Sequence, residues 1–379
     1  MLISRRNLVS SLAAGTVSSM VFNELCVSSS PESFPPAPLD SAPNLILLDR
    51  NENAYGPSGK VLAVMREGLS DANRYARGEY DSLVNKIAAV HRVRSEQIIL
   101  GCGCSEILRI AVAEFLGRRR KLIQAWPTFP LLSEFARSSG AEVIDVPLNT
   151  MYGHDLDRML ARAGTSTGLM YICNPNDPTG TLTPRGEIET LIRKLPANMM
   201  LLIDEAYHHY VGGTSSYASF LDEPSDDSRV IVARTFSKIY GLAGMRVGYG
   251  FASAKIATRL RARRLESGIS VLSAKAAAAA LDESEYVLMA AKRNADDRQE
   301  FLNHVNTRML RTIDSHTNFV MLNASRPVDE VLTHLKKNNI LVAPRIPTLD
   351  NYIRVSLGTP TEMLEFWRVW NLLPPPHKM

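Results

Sequence analysis

Long apolar runs are missing from this 379-residue chain, and so is a large surplus of either charge. The weakly apolar stretch that ends at Phe22 falls short of the ~18–20 residues a spanning helix needs, so stable membrane insertion is not expected. Lys and Arg total 43 against 39 Asp and Glu, a formal net charge of +4, which is too small for a general polyanion binder. Two basic runs, Arg118–Lys121 and Arg259–Arg264, lack interleaved aromatics and read as solvated faces, not as nucleic-acid contacts. Cysteine is scarce as well. Cys26, Cys102, Cys104 and Cys173 form no CxxC pair and no Cys/His cluster at zinc spacing, so neither a disulfide scaffold nor a metal site is expected. What is plentiful is ordinary core material: at 45% hydrophobic residues the chain should be globular, with roughly two domains at ~100–200 residues each.

The N-terminus reads as an address. Ser4-Arg5-Arg6-Asn7-Leu8-Val9 precedes the short Ser/Ala/Gly-rich apolar stretch, and the polar, proline-rich segment Ser28–Pro38 follows. That is signal-peptide order, and the paired arginines resemble a twin-arginine leader. The implied location is periplasmic or exported; without a working leader it would be cytoplasmic. No clean A-x-A site marks a cleavage point.

Beyond Pro43, short apolar runs alternate with helix-period stretches, the signature of an α/β fold. Strands are predicted over Gln97–Leu100, Lys121–Gln124, Val143–Val146, Leu169–Cys173, Met199–Ile203, Val230–Ala233 and Val247–Phe251. Helix formers dominate from Ser273 to Arg308, and further strands are predicted over Asn318–Leu322, Ile340–Ala343 and Tyr352–Val355, with a helix from about Glu362. The organisation is therefore a leader and linker (1–38), an N-terminal arm (39–60), a large α/β domain (61–272), and a linking helix with a smaller α+β domain (273–379).

Several predicted strands are followed at once by chemically capable residues. In open α/β sheets ligands sit beyond the carboxyl ends of strands, so these segments should share one crevice. Asp204-Glu205-Ala206-Tyr207 places a carboxylate at a strand end and a phenol three residues on. Thr235-Phe236-Ser237-Lys238 follows the next strand, with Arg246 shortly after. A lysine in a low-dielectric pocket loses its proton readily and can attack an aldehyde carbon, while Ser237 and Arg246 could bind a phosphate. Gly101-Cys102-Gly103-Cys104-Ser105-Glu106 ends a strand and opens a helix, whose free N–H groups suit an anion. Asn174–Gly180 is a rigid polar turn, Phe129 could stack on a flat ring, and Arg354 stands between apolar neighbours where it could receive a carboxylate. Each motif alone is weak; their joint order is specific.

In that order they resemble the fold-type I pyridoxal-phosphate (PLP) aminotransferases, and specifically the histidinol-phosphate aminotransferase family. The match runs from Asn51–Pro57 through the Gly-rich turn, Asn174–Gly180, Asp204–Tyr207, Thr235–Lys238 and Arg246 to Asn351–Gly358. The resemblance implies a large domain with a mostly parallel seven-stranded sheet and a smaller C-terminal domain. It implies that Lys238 carries PLP as a Schiff base, Asp204 pairs the pyridine nitrogen and Tyr207 meets the ring oxygen. By the same resemblance Gly103, Cys104, Ser105, Ser237 and Arg246 surround the phosphate, Phe129 stacks on the ring, and Arg354 grips a substrate carboxylate. Tyr55 would reach the cofactor of a second subunit, which implies a homodimer. The partners would be an amino donor, either an amino acid or histidinol phosphate, and a 2-oxo acid such as 2-oxoglutarate. A decarboxylase or other lyase of the same fold is the alternative, because the fold hosts both chemistries.

Three positions depart from the family pattern. Asp177 stands where asparagine is usual, beside the ring oxygen, and a second carboxylate there requires a proton or a pairing with Arg354. Phe129 replaces the commoner tyrosine, and Val342–Pro347 lacks the usual arginine for the substrate phosphate, leaving Arg345 as the replacement.

Overall fold

The computed structural model describes residues 45–212 and 216–374, so the leader at 1–38 and Cys26 lie outside the described residues. Eleven strands are described: β1 (Ile46–Leu48), β2 (Ile98–Cys102), β3 (Lys121–Trp126), β4 (Val143–Pro147), β5 (Thr167–Cys173), β6 (Met200–Asp204), β7 (Val230–Thr235), β8 (Val247–Phe251), β9 (Phe319–Asn323), β10 (Ile340–Val342) and β11 (Tyr352–Ser356). The central sheet has the seven-stranded order β2-β8-β7-β6-β5-β3-β4. Its strands pair in parallel except at β8, which runs antiparallel to both β2 and β7.

Burial on both faces explains why the inner strands β5, β6 and β7 read as mainly apolar runs, whereas the edge strand β4 carries the exposed Asp145. In β6, Leu201 and Ile203 enter one core while Met200 and Leu202 enter the core on the opposite face. In β2, Ile98 and Leu100 face the first core and Ile99 the second. A third apolar cluster joins Leu48, Phe301, Val320, Ile353, Phe366 and Trp367 around the antiparallel pair β9–β11.

The alanine-rich stretch forms two helices, Val271–Ala280 and Ser284–Thr307. Strand β1 was not foreseen: it pairs in parallel with β10, which ties the arm at 39–60 to the C-terminal part of the chain. The final helix, Pro360–Trp370, is entered by a reciprocal cap in which Thr359 and Glu362 satisfy each other's backbone N–H groups. Arg259 and Arg263 of the second basic run both pair with Glu114 at the surface. Among the described residues no helix is long and apolar enough to cross a membrane.

Candidate active site

The chemistry-bearing residues collect at one edge of the central sheet. Asp204 is the last residue of β6, Lys238 follows β7 by three residues, and Arg246 immediately precedes β8, whose reversed direction brings its start to the same edge. Beside them, β2 ends at Cys102 and the helix Gly103–Phe115 begins. The buried carboxylate of Glu106 clamps this turn, accepting from Cys102 N at 2.6 Å and from Leu265 N at 3.0 Å. Gly103 has φ +72°, and a Cβ there would collide with the Arg246 guanidinium; only glycine lets the arginine lie along the helix start.

The result is a cavity of about 600 Å³, lined by Cys104, Ser105, Phe129, Asp177, Asp204, Tyr207, Ser237, Lys238, Arg246 and Arg354 among others. Lys238 Nζ donates to the carbonyls of Asn51 at 2.9 Å and Arg50 at 3.1 Å, and lies 5.2 Å from the centre of the Tyr207 ring. Burial lowers its pKa to about 8, opposed by the negative charge of Asp177 and assisted by Arg354. Burial pushes the Asp204 carboxyl up to about 6, against hydrogen bonds from Tyr171, the Ala206 N–H and Cys104 that favour its ionised form. Those donors stand at 3.0 Å for the Tyr171 hydroxyl, 3.1 Å for Ala206 N and 3.6 Å for Cys104 Sγ. Burial, then the Asp204 charge, raises the Cys104 thiol well above its usual range, so it is held as a neutral donor.

At the other end of the cavity Asp177 is buried against three donors. Arg354 Nη1 approaches its Oδ1 at 2.5 Å, while Oδ2 accepts from the Tyr207 hydroxyl at 2.7 Å and from Asn51 Nδ2 at 3.2 Å. Arg246 Nη1 donates to Ser237 Oγ at 3.3 Å and to the Ala243 carbonyl at 2.9 Å.

Ten of the thirteen residues singled out from the sequence thus line one cavity, and the other three do not. Gly103 acts through its backbone, below Arg246. Tyr55 is partly exposed, donates to Asp297 Oδ2 at 2.9 Å and lies under Arg293, whose guanidinium is 4.4 Å from the ring centre. Arg345 is a correction: it sits at the surface, paired with Asp350 at 2.6 Å and Asp329 at 3.4 Å, outside the cavity, because its carboxylate neighbours in the same loop and on the adjoining helix hold it there. Two contributors were missed. Asn51, buried and with φ +54°, touches both Asp177 and Tyr207; its signal is that asparagine tolerates the left-handed region. Tyr171 is a phenol in the middle of an otherwise apolar β5, and a buried hydroxyl in such a run needs a partner.

This donor set fits PLP. The helix start, Ser105, Ser237 and Arg246 could hold the phosphate over the gap that Gly103 leaves; Asp204 could face a protonated ring nitrogen; Lys238 could meet an aldehyde. Residues 43–368 match the family described as aminotransferase class I and II. The chain belongs to that family, and is a PLP-dependent transaminase of the histidinol-phosphate aminotransferase-like kind. It is 35% identical over 325 residues to histidinol-phosphate aminotransferase 2 of Carboxydothermus hydrogenoformans, covering 85% of this chain and 89% of that protein. It is 32% identical over 316 residues to the histidinol-phosphate aminotransferase of Bacillus subtilis, covering 83% and 88%. Among solved structures, the Sinorhizobium meliloti histidinol-phosphate aminotransferase in complex with pyridoxal-5'-phosphate superposes with a TM-score of 0.81 at 26% identity, over 87% of this chain and 90% of that one.

Proposed function

We propose that this transaminase takes the amino group of histidinol phosphate or an amino acid and passes it to a 2-oxo acid such as 2-oxoglutarate, with Lys238 as the residue that both carries the cofactor and moves the proton. The observation that carries the reading is the opposition, across one cavity, of a half-buried amine lowered to about 8 and a buried carboxyl raised to about 6. PLP, when bound, supplies an electrophilic carbon and an electron sink. Freed by the incoming amine, Lys238 Nζ would take a proton from the amine-bearing carbon of the donor and deliver it to the electrophilic carbon that PLP supplies, a task suited to an amine whose pKa lies near the working pH. Asp204 would keep the ring nitrogen of bound PLP protonated, and its own position is set by Tyr171 and Cys104. Tyr207 and Asn51 orient the side of the cavity where Asp177 and Arg354 meet.

The homodimer is supported by Tyr55, which is exposed, bonds Asp297 and does not line its own chain's cavity. Export is supported by the order of Arg5-Arg6, a short apolar stretch and a proline-rich linker. A small C-terminal domain is supported by the separate apolar cluster around β9–β11, while the helix Val271–Ala280 packs into the core of the large one. The deciding experiment is a donor screen on purified holoenzyme under single-turnover conditions, following amino transfer by absorbance. Histidinol phosphate and at least one amino acid should transfer, and K238A should lose the reaction by more than about 10⁴-fold. Release of carbon dioxide without amino transfer would contradict the proposal.

A further inference from the structure

Beside Glu52 of the N-terminal arm lies a second, much smaller cavity of about 20 Å³, lined by Glu52, Tyr210, Asn294, Asp297 and Asn318 among others. Asn318 is only 3% exposed, and its buried Oδ1 has no hydrogen-bond partner among the described residues. The other end of the same amide is committed: Nδ2 donates to the carbonyls of Asn51 at 3.0 Å and Glu52 at 3.1 Å. Asn294 is held in the same way, with Nδ2 on the Thr317 carbonyl at 3.1 Å. Turning either amide over would set its oxygen against a carbonyl oxygen, so both amides keep their oxygens as the uncommitted ends. Two carboxylates join them in the lining. Asp297 accepts from the Tyr55 hydroxyl at 2.9 Å, and burial raises its pKa against that hydrogen bond and the charge of Arg293. Glu52 also lines the main cavity, and its carboxylate forms no salt bridge among the described residues.

We propose that this small cavity is a monovalent-cation site, which takes an alkali ion such as potassium on the Asn294 and Asn318 amide oxygens and the Glu52 and Asp297 carboxylates. The inference goes beyond the transaminase reading, since no substrate takes part. The volume suits a single water-sized particle, which needs ~10–15 Å³. Oxygen donors select a hard cation, and two of these donors are neutral amides. A transition metal lacks its ligands here, because no group of three His, Cys, Asp or Glu able to hold a metal occurs among the described residues. A water molecule could donate to the amide oxygens but would bring no charge to offset two carboxylates; a cation satisfies the oxygens and supplies that charge. The site also reaches the active centre without a contact there. An ion on Asn318 Oδ1 polarises the amide and strengthens Nδ2 as a donor. The Asn51 carbonyl that Nδ2 holds is the one that accepts from Lys238 Nζ at 2.9 Å. Potassium therefore firms the seat of the amine that meets PLP, and by linkage each should tighten the other.

The test titrates apoprotein with PLP, read by fluorescence, in potassium chloride and in tetramethylammonium chloride at equal ionic strength, the second cation being too large for the cavity. PLP should bind about 5–50-fold more tightly in potassium. The urea midpoint of PLP-loaded protein should rise with potassium and saturate, as binding to the folded state requires, and should show no such rise with tetramethylammonium. D297N should weaken the apparent potassium affinity by about tenfold or more, and N318L should abolish the salt difference in PLP affinity. A purely structural role for Asn318 would instead weaken PLP binding equally in both salts. A urea midpoint indifferent to potassium, which would leave water as the occupant, overturns the proposal, as does a potassium effect that D297N leaves intact. PLP affinities within about twofold of each other in the two salts overturn the link to Lys238. If N318L does not fold, D297N decides; should PLP fail to bind, the transaminase reading fails, while urea midpoints of the apoprotein still judge the site.

Discussion

Asp204 and Glu205 are neighbours in the chain and each is 2% exposed, yet they belong to opposite kinds of site. Glu205 is saturated: it accepts from Arg234 Nε at 3.0 Å, Ser219 Oγ at 2.6 Å and Phe220 N at 2.8 Å. Around it Arg234 also pairs with Asp222, which His91 and His208 approach at 2.8 and 3.2 Å. Burial would raise the Asp222 carboxyl, but the hydrogen bonds from His208 and His91 and the charge of Arg234 hold it well below the usual carboxylate range. Among the described residues Asp204 has no cation as a hydrogen-bond partner, and its carboxylate meets a phenol, a thiol and one backbone N–H. A carboxylate buried with its own cation holds the fold together; one buried with neutral donors alone is left available to a positively charged guest.

The largest effect expected from this contrast is on stability. R234M leaves Glu205 buried without its cation, and should lower the free energy of unfolding by about 3–5 kcal/mol, read from urea midpoints, with PLP loading of the folded fraction unchanged. Y171F should do the reverse. Loss of one hydrogen bond to an ionised carboxylate, worth about 1.5–3 kcal/mol, should weaken PLP binding about tenfold or more in fluorescence titrations while the urea midpoint moves little. If both variants acted alike, the division between the two sites would fail.

The most gradual effect is the pH dependence of apoprotein stability, at most about 1.4 kcal/mol per pH unit for one group. Asp204 titrates at about 6 when folded against an ordinary 3.8, so the folded chain binds the extra proton between those values and stability falls as pH rises through that window. Lys238 titrates at about 8 against an ordinary 10.5, so the unfolded chain binds the extra proton and stability rises with pH from 8 to 10.5. Urea unfolding across pH should show both slopes, with D204N removing the first and K238M the second. A slope that survives its own substitution would assign the titration elsewhere.

The same two regions show what a sequence can disclose. Each of the seven central strands was visible, because strands buried on both faces, such as β5 and β6, are mainly apolar runs, and each predicted strand ended within a residue or two of the observed element. The three-residue β1 was missed although Leu45-Ile46-Leu47-Leu48 is itself a short apolar run; Leu47 is exposed, and pairing with β10 is what makes the segment a strand. Asp204, Lys238 and Arg246 were legible because strand ends define one crevice. The contact between Asp177 and Arg354 was raised only as a requirement of charge, for the two residues are 177 positions apart and nothing local joins them. Arg345 was misplaced for the matching reason: sequence proximity to a motif does not reveal that Asp350 and Asp329 hold a side chain at the surface.

The central claim is that one half-buried amine, opposite Asp204, is the attachment point for the cofactor. Borohydride reduction of PLP-loaded protein followed by peptide mass spectrometry tests it most directly. The account predicts a single stable pyridoxyl modification on Lys238; a modification on another lysine, or none, would contradict it.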